Sequence, residues 1–184
     1  MMKSKRSIID KAVTIASIAH LRQKRKADGT PYIAHPMRVA MALARYGFSE
    51  ETIAAGCTHD VLEDTDYSLE QLRRELGAKV AKIVQAVTND NTLAWEDKKL
   101  RYIQTTKDGP EEAKAVACAD KIDNMLSLIE AYQIQGIDVW KKFNHGRDGL
   151  IWYWSELLKM FKKRWKHPLL AEYESILREI VRLS

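Results

Sequence analysis

Apolar side chains recur every three or four residues along most of the chain, which is the spacing of one buried face of an α-helix. The first segment of this kind runs through Ile8, Ile9, Ala12, Val13, Ile15, Ala16 and Ala19. The sequence shows no strict alternation of apolar and polar residues, the pattern that indicates a half-buried strand. The periodicity therefore predicts an all-α fold.

Capping residues and helix breakers indicate where the predicted helices begin and end. Pro36 fits the first turn of a helix that ends near Tyr46, and Ser49 caps the next helix. Ser68, with Gln71 three residues later, predicts a capping box for a helix that ends near Gly77. Further helices are predicted over 80–87, through 96–101, and over 111–132, 139–163 and 169–183. We expect a bundle of about eight to ten helices in a single compact domain over residues 1–184.

Composition narrows the class of protein. With 184 residues and 46% hydrophobic content, the chain suits one domain with a substantial core better than two. Its formal charge of +5 suits an anionic partner, and a phosphorylated small molecule fits as well as nucleic acid. Cys57 and Cys118 lie in apolar segments and no signal-like N-terminus precedes them, which predicts reduced thiols in a cytoplasmic protein. No apolar run approaches the roughly eighteen residues of a membrane span, so no membrane association is expected.

The segment His-Asp-Val-Leu-Glu-Asp at 59–64 is the strongest sign of chemistry. On one continuous helix, His59 would lie over Glu63 and Asp60 over Asp64, so four polar groups would share a face. Three carboxylates beside an apolar segment repel one another and lose hydration, and a bound divalent cation would remove that cost. The six residues alone fit an acidic helix end with a core histidine equally well.

Two other places supply further metal-ligand groups. His35 lies at a turn-to-helix junction, and Asp120 interrupts an otherwise apolar helix with Asn124 four residues later on the same face. Together with His59 and Asp60 they form a set of two imidazoles and two carboxylates, which leaves positions for water and substrate oxygens. This set predicts one manganese ion, or another octahedral divalent ion, rather than structural zinc.

Three other features each admit two interpretations. Cys57 and Cys118 suggest a thiolate zinc site, but each is two positions from a predicted ligand and faces about 200° away on an ideal helix. His145 and Arg147 could contact a phosphate, although a glycine-containing turn before a helix is favoured. The basic and aromatic segment 159–167 fits nucleic acid or a membrane surface, and fits a solvated helix end equally well.

Taken in order, these motifs resemble the hydrolase domain of RelA/SpoT proteins, a group of HD-domain phosphohydrolases. The resemblance is carried by the segments 29–36, 59–65, 76–80, 87–90 and 119–125. It runs from about residue 5 to residue 130, whereas the C-terminal part, 137–184, diverges. The chain is similar to the stand-alone members, the small alarmone hydrolases, and the resemblance implies an HD-domain helical bundle.

The resemblance implies manganese-dependent hydrolysis of guanosine tetra- or pentaphosphate, with release of pyrophosphate from the 3′ position of the ribose. It assigns the metal to His35, His59, Asp60 and Asp120, and it assigns catalysis to Glu63 and Asp64 without separating acid from base. Residues expected to contact the substrate are Lys26, Arg25, Tyr32, Asn124, Ser127 and Lys98.

Lys26 departs from the long RelA/SpoT enzymes, in which an arginine at this place packs on the guanine. Lysine offers neither planar stacking nor a bidentate fork, so guanine selectivity by this route requires Arg25 to substitute. An HD-domain phosphohydrolase that acts on another phosphorylated nucleotide, a deoxynucleotide or an NADPH-like molecule, is therefore the second hypothesis. A non-catalytic nucleotide or nucleic-acid binder is the third. We expect a small-molecule nucleotide partner, no nucleic acid, and a monomer or homodimer.

Overall fold

A computed structural model of the chain describes residues 6–25 and 29–183. The helices within these ranges are α1 (Ile8–Ala19), α2 (Ala34–Arg45), α3 (Glu50–Thr58), α4 (Val61–Asp64), α5 (Leu69–Ala86), α6 (Trp95–Asp108), α7 (Glu111–Gln135), a 3-10 helix (Gly136–Lys142), α8 (Gly146–Arg164) and α9 (Leu169–Arg182). The only β-type pairing in the described ranges is an isolated bridge between Lys24 and Pro31. The predicted all-α bundle is confirmed.

Local capping follows the sequence signals closely. The Ser68 hydroxyl accepts a hydrogen bond from the Gln71 amide at 3.2 Å, and the Gln71 side chain accepts one from the Ser68 amide at 2.8 Å. The predicted stop near Gly77 is a kink within α5, where this glycine has φ +89° and ψ 166°. Because other residues rarely adopt a positive φ, Gly77 permits this change of direction within α5.

Two predicted helices are each divided in the structure. The helix predicted over 139–163 is wrong at its start, because the 3-10 helix ends at Lys142 and α8 begins only at Gly146, which has φ +56°. The helix capped by Ser49 ends at Thr58, before the His-Asp pair. There the His59 ring donates from Nδ1 to the Gly56 carbonyl at 2.8 Å, a side-chain bond that competes with the continuing helix.

Helix α7 is the centre of the fold, since side chains from Ala113 to Ala131 are buried on most of its faces. Helices α2, α3 and α9 pack against it, and α3 also packs closely on α2. At that contact Gly56 leaves no room for a side chain, because an added Cβ would lie 2.5 Å from Leu43 Cδ1. The close packing of α2, α3 and α7 brings the predicted ligands to one place.

Cys57 and Cys118 are both free and buried in this core. Burial raises the pKa of the Cys57 thiol to about 11 and raises that of Cys118 as well. Both therefore have the properties of packed, unreactive thiols. Among the described helices, none combines the length and apolar character needed to cross a bilayer.

Candidate active site

Four predicted ligands converge in the interior. His35 comes from the start of α2, Asp120 from the middle of α7, and His59 and Asp60 from the junction between α3 and α4. His35 Nε2 lies 3.2 Å from His59 Nε2, 3.2 Å from Asp120 Oδ1 and 3.4 Å from Asp60 Oδ2. His59 Nε2 lies 3.1 Å from Asp60 Oδ2 and 3.7 Å from Asp120 Oδ1. Each of the two ring nitrogens therefore lies within 3.7 Å of both carboxylate oxygens.

These spacings fit a divalent metal ion. Ligands at about 2.1 Å from an ion lie about 3.0 Å apart in octahedral geometry and about 3.4 Å apart in tetrahedral geometry. The ligand atoms of His35, His59 and Asp120 all lie within 4.8 Å of one another, and the three side chains are buried. Two imidazole Nε2 atoms that face each other at 3.2 Å require either a proton on one ring or a cation shared between them.

The charges of this cluster are strongly coupled. Burial opposes ionisation of every member, but the nearby carboxylates raise the pKa of His59 well above its usual value. Burial also opposes the charge on His35, yet its hydrogen bonds with Asp120, Asp123 and Asp60 raise its pKa to about 9. Without an ion, protons on the rings balance the carboxylates. A metal would displace those protons, because an imidazole ligand binds through an unprotonated nitrogen.

Glu63 and Asp64 make contacts with different residues. Helix α3 ends at Thr58 and α4 starts at Val61, although His59 and Asp60 keep right-handed helical backbone angles and the Asp64 amide donates to the Asp60 carbonyl at 2.9 Å. The Glu63 carboxylate accepts hydrogen bonds from the backbone amide and the side-chain amide of Asn89, at 3.0 and 2.8 Å. The two acids therefore face different networks.

Asp64 belongs to the network of Tyr32. The Tyr32 hydroxyl lies 2.6 Å from Asp60 Oδ2 and 3.0 Å from Asp64 Oδ2, so it links a predicted ligand to a predicted catalytic acid. Burial and the negative charges of Asp60 and Glu63 raise the pKa of Asp64 to about 6. This carboxylate can exchange a proton near neutral pH.

A cavity of about 550 Å³ lies beside the ligand cluster. The predicted substrate residues Arg25, Tyr32, Asn124 and Ser127 line it, together with Asp64. Arg25 donates to the Asn124 side chain at 3.1 Å, and Asn124 donates to Asp120 at 2.5 Å. The first turn after α1 is thus connected to the ligand cluster through α7.

Of the predicted substrate residues that the structure describes, Lys98 is not among the lining residues. Lys26 lies outside the described residues. Lys98 donates to the Asn91 side chain at 3.0 Å, and the neighbouring Lys99 lines the cavity in its place. A helix turns about 100° per residue, so a shift of one position decides which lysine faces the cavity.

Lys99 and Lys121 were not among the residues expected to contact the substrate. Lys121 is buried, forms an ion pair with Asp120 and lies 4.9 Å from the centre of the Tyr102 ring. The Lys99 ammonium lies 4.8 Å from the centre of the Tyr153 ring. Burial and the nearby charge of Lys121 lower the pKa of Lys99 to about 8. The only sequence signal for this pair was the general abundance of cations near the motifs.

The divergent C-terminal part supplies much of the apolar wall of the cavity. Its contributing residues come from the end of the 3-10 helix and from α8, and they are joined by one tryptophan of α6: Phe143, Leu150, Tyr153, Trp154 and Trp95. The aromatic run at 152–154 was visible in the sequence, but its contact with the cavity depends on packing between distant helices.

His145 and Arg147 make contacts within the protein. Arg147 donates to the backbone carbonyls of Leu183 and Val181 at 2.8 and 2.7 Å, near the end of α9. The His145 ring stacks on Trp95, with 4.0 Å between the ring centres. The favoured interpretation, a turn that precedes α8, agrees with this arrangement.

Comparison with known proteins gives the family. The HD domain family matches residues 12–151. The chain belongs to the HD domain family. The Danio rerio protein named guanosine-3′,5′-bis(diphosphate) 3′-pyrophosphohydrolase MESH1 is 37% identical over 128 residues, which are 68% of this chain and 71% of that protein. An Aquifex aeolicus protein with the same enzyme name is 36% identical over 124 residues, which are 65% of this HD domain chain and 18% of the longer protein.

Solved structures extend the similarity to most of the fold. The structure of a metazoan SpoT ortholog described as hydrolysing ppGpp matches with a TM-score of 0.81 at 26% identity, and it covers 96% of this chain and 97% of that one. A Listeria monocytogenes EGD-e protein matches with a TM-score of 0.74 at 35% identity, and it covers 79% of this chain and 97% of that one. The resemblance to RelA/SpoT hydrolase domains is confirmed.

Proposed function

We propose that this HD domain protein is a manganese-dependent guanosine-3′,5′-bis(diphosphate) 3′-pyrophosphohydrolase, which converts the alarmone to GDP or GTP and pyrophosphate. The observation that carries the proposal is the meeting of two imidazoles and two carboxylates beside a cavity lined by cations and aromatic rings. The names of the relatives support the choice of substrate. The whole chain would act as one domain on a small nucleotide in the cytoplasm.

His35, His59, Asp60 and Asp120 would hold the ion. Their mixed nitrogen and oxygen donors suit Mn²⁺, and neither buried cysteine contributes to the cluster. When bound, the ion would lower the pKa of a coordinated water and so make hydroxide available near neutral pH.

Asp64 is the residue we assign to proton transfer from water. It faces the cavity, and with a pKa of about 6 it is mostly ionised at neutral pH, so its carboxylate can accept a proton. The Tyr32 hydroxyl, 3.0 Å from Asp64, holds that carboxylate in place next to Asp60.

Glu63 belongs to a different set of hydrogen bonds from Asp64. Two hydrogen bonds from Asn89 fix its carboxylate, and the Asn89 side-chain oxygen lies 3.4 Å from the Lys99 ammonium. This chain of carboxylate, amide and ammonium leads from Glu63 to the cavity. Lys99 and Arg25 would bind the phosphates of the substrate.

A second candidate is the hydrolysis of another phosphorylated nucleotide, a deoxynucleotide or an NADPH-like molecule. Arg25 already donates to Asn124 and lies 3.9 Å from Asp123, so stacking on a guanine would compete with these contacts. The aromatic wall can stack on any base, because every base has a π face. Neither feature selects guanine.

The test is a nucleotide panel assayed with the purified chain. Guanosine tetraphosphate, a deoxynucleoside triphosphate and NADPH are each incubated with Mn²⁺ or with EDTA, and products are separated by ion-exchange chromatography. We expect pyrophosphate from guanosine tetraphosphate with Mn²⁺ only, and no turnover by Asp60→Ala. Release of inorganic phosphate from NADPH or the deoxynucleotide, without turnover of the alarmone, would establish the second candidate instead.

A further inference from the structure

Asp123 is a buried carboxylate next to the ligand cluster that is not one of its four donors. It is 6% exposed and lies on α7, three residues after Asp120. Its Oδ2 lies 2.6 Å from Nδ1 of His35, on the side of the ring that faces away from the other ligands. A buried charge in this position needs a reason, because loss of hydration is costly.

The two histidines of the cluster are supported in different ways. His59 donates from Nδ1 to a neutral backbone carbonyl, that of Gly56, at 2.8 Å. His35 has a full carboxylate as its partner. An acceptor at Nδ1 keeps the ring proton there and leaves the Nε2 lone pair for a metal, and a charged acceptor also makes that nitrogen the stronger donor.

Arg38 completes the arrangement. Its Nε donates to Asp123 Oδ1 at 2.5 Å, and its Nη2 lies 3.4 Å from both Asp123 Oδ2 and Ser127 Oγ. Arg38 lies one turn after His35 on α2, so one helix carries both residues that hydrogen-bond the carboxylate, while Arg25 lies farther away, at 3.9 Å. The guanidinium balances the buried charge and holds Oδ2 against the imidazole.

We propose that Asp123 is a positioning residue that fixes His35 with Nε2 toward a bound divalent ion, and that Arg38 holds Asp123 in place. The inference rests on the metal site of the proposed function, but it does not depend on which nucleotide is hydrolysed. Outer partners of metal-binding histidines contribute about 10- to 100-fold to metal affinity. Removal of Asp123 should therefore weaken the binding of the ion.

The test measures the Kd for Mn²⁺ by isothermal titration calorimetry on the purified chain, with no nucleotide present. For Asp123→Ala we expect the Kd to rise by about 10- to 100-fold. Asp123→Asn keeps an acceptor for His35 Nδ1 and loses the charge, so its Kd should lie between those of the wild type and Asp123→Ala. The matched control is Asp138→Asn, at an exposed position of the 3-10 helix, which should leave the Kd unchanged.

Thermal unfolding of each metal-free variant separates positioning from folding. If Asp123→Ala fails to fold, the Asp123→Asn and Arg38→Gln variants test the inference in its place. Each should weaken Mn²⁺ binding while the protein stays folded. A Kd within twofold of the wild-type value in a folded Asp123→Ala variant, or in both replacement variants, would overturn the inference.

The two proposals can fail separately. Mn²⁺ binding that depends on Asp123, without turnover of guanosine tetraphosphate, keeps this inference and refutes the proposed function. Turnover of guanosine tetraphosphate, with an Mn²⁺ affinity that does not change when Asp123 is replaced, supports the proposed function and refutes this inference. At saturating Mn²⁺ the Asp123→Ala variant should recover much of its rate with an unchanged KM, whereas a residue that contacts the substrate would raise KM.

Discussion

Replacing Lys99 by methionine tests whether the cavity binds phosphate through Lys99 rather than through the predicted Lys98. Among the described residues, no carboxylate lies within ion-pair distance of the Lys99 ammonium, which contacts the Tyr153 ring and lies 3.4 Å from Asn89 Oδ1. A partly buried ammonium of this kind is poised for an anionic ligand. Methionine keeps much of the stem and removes the charge.

The size of the effect follows from the charge. A hydrogen bond to a charged group contributes about 1.5–3 kcal/mol, so Lys99→Met should raise KM by roughly 10- to 150-fold. The pKa of Lys99, lowered to about 8, adds a pH signature. A lysine with this pKa is about nine-tenths charged at pH 7 and about one-tenth charged at pH 9. Phosphate affinity is therefore present below pH 8 and is lost above it.

Steady-state kinetics between pH 6.5 and 9.5, at saturating metal, measure both effects, with roughly half-unit pH steps around the midpoint. In the wild type, kcat/KM should fall as the pH rises through about 8. Lys99→Arg stays charged and should lose this fall, and Lys99→Met should be low throughout. Lys98→Met is the matched comparison, since Lys98 contacts Asn91 outside the cavity. A larger rise in KM for Lys98→Met than for Lys99→Met would refute the reasoning.

Three further outcomes are expected. The rate of the wild type should rise as the pH increases through about 6, because Asp64 ionises there. In a pH–rate profile Asp64→Asn should lose this rise, together with about 100-fold or more in rate. A rise that persists in Asp64→Asn would contradict the role assigned to Asp64. Arg147→Ala removes two hydrogen bonds near the end of α9 and should lower the free energy of unfolding by about 1–3 kcal/mol in urea denaturation, and a raised KM would instead indicate a phosphate contact. EDTA should abolish hydrolysis, and added Mn²⁺ should restore it. Mn²⁺ should also raise the unfolding temperature in a thermal-shift assay, and Asp120→Ala should remove that rise. An equal rise in Asp120→Ala would place the ion elsewhere.

Several features of the fold and of the site could be predicted because their sequence signals are local. The Ser68–Gln71 capping box needs only four consecutive residues, and it forms as expected. The predicted ligands carry the right donor atoms at spacings typical of a family, and the structure brings them within a few ångströms of one another. The break between α3 and α4 was not predicted, because the bond from His59 Nδ1 to the Gly56 carbonyl depends on the contacts that His59 Nε2 makes with distant residues such as His35.

Other parts could not be predicted because they depend on contacts between distant segments. Lys98 and Lys99 differ by one position on α6, and only the packing of α6 on α8 decides which one reaches the cavity. Asp123 meets His35 across 88 residues of chain, and Tyr153 joins the wall from a region with no recognisable motif.

By itself the sequence determined the all-α class, the helix caps and the identity of the groups able to bind a metal, because periodicity, capping and donor chemistry are properties of a few neighbouring residues. The tertiary structure alone decided the roles of Asp123, Lys99 and the aromatic wall. Helix faces that are far apart in the chain meet only when their side chains interlock around α7, and this packing sets which polar groups are buried together.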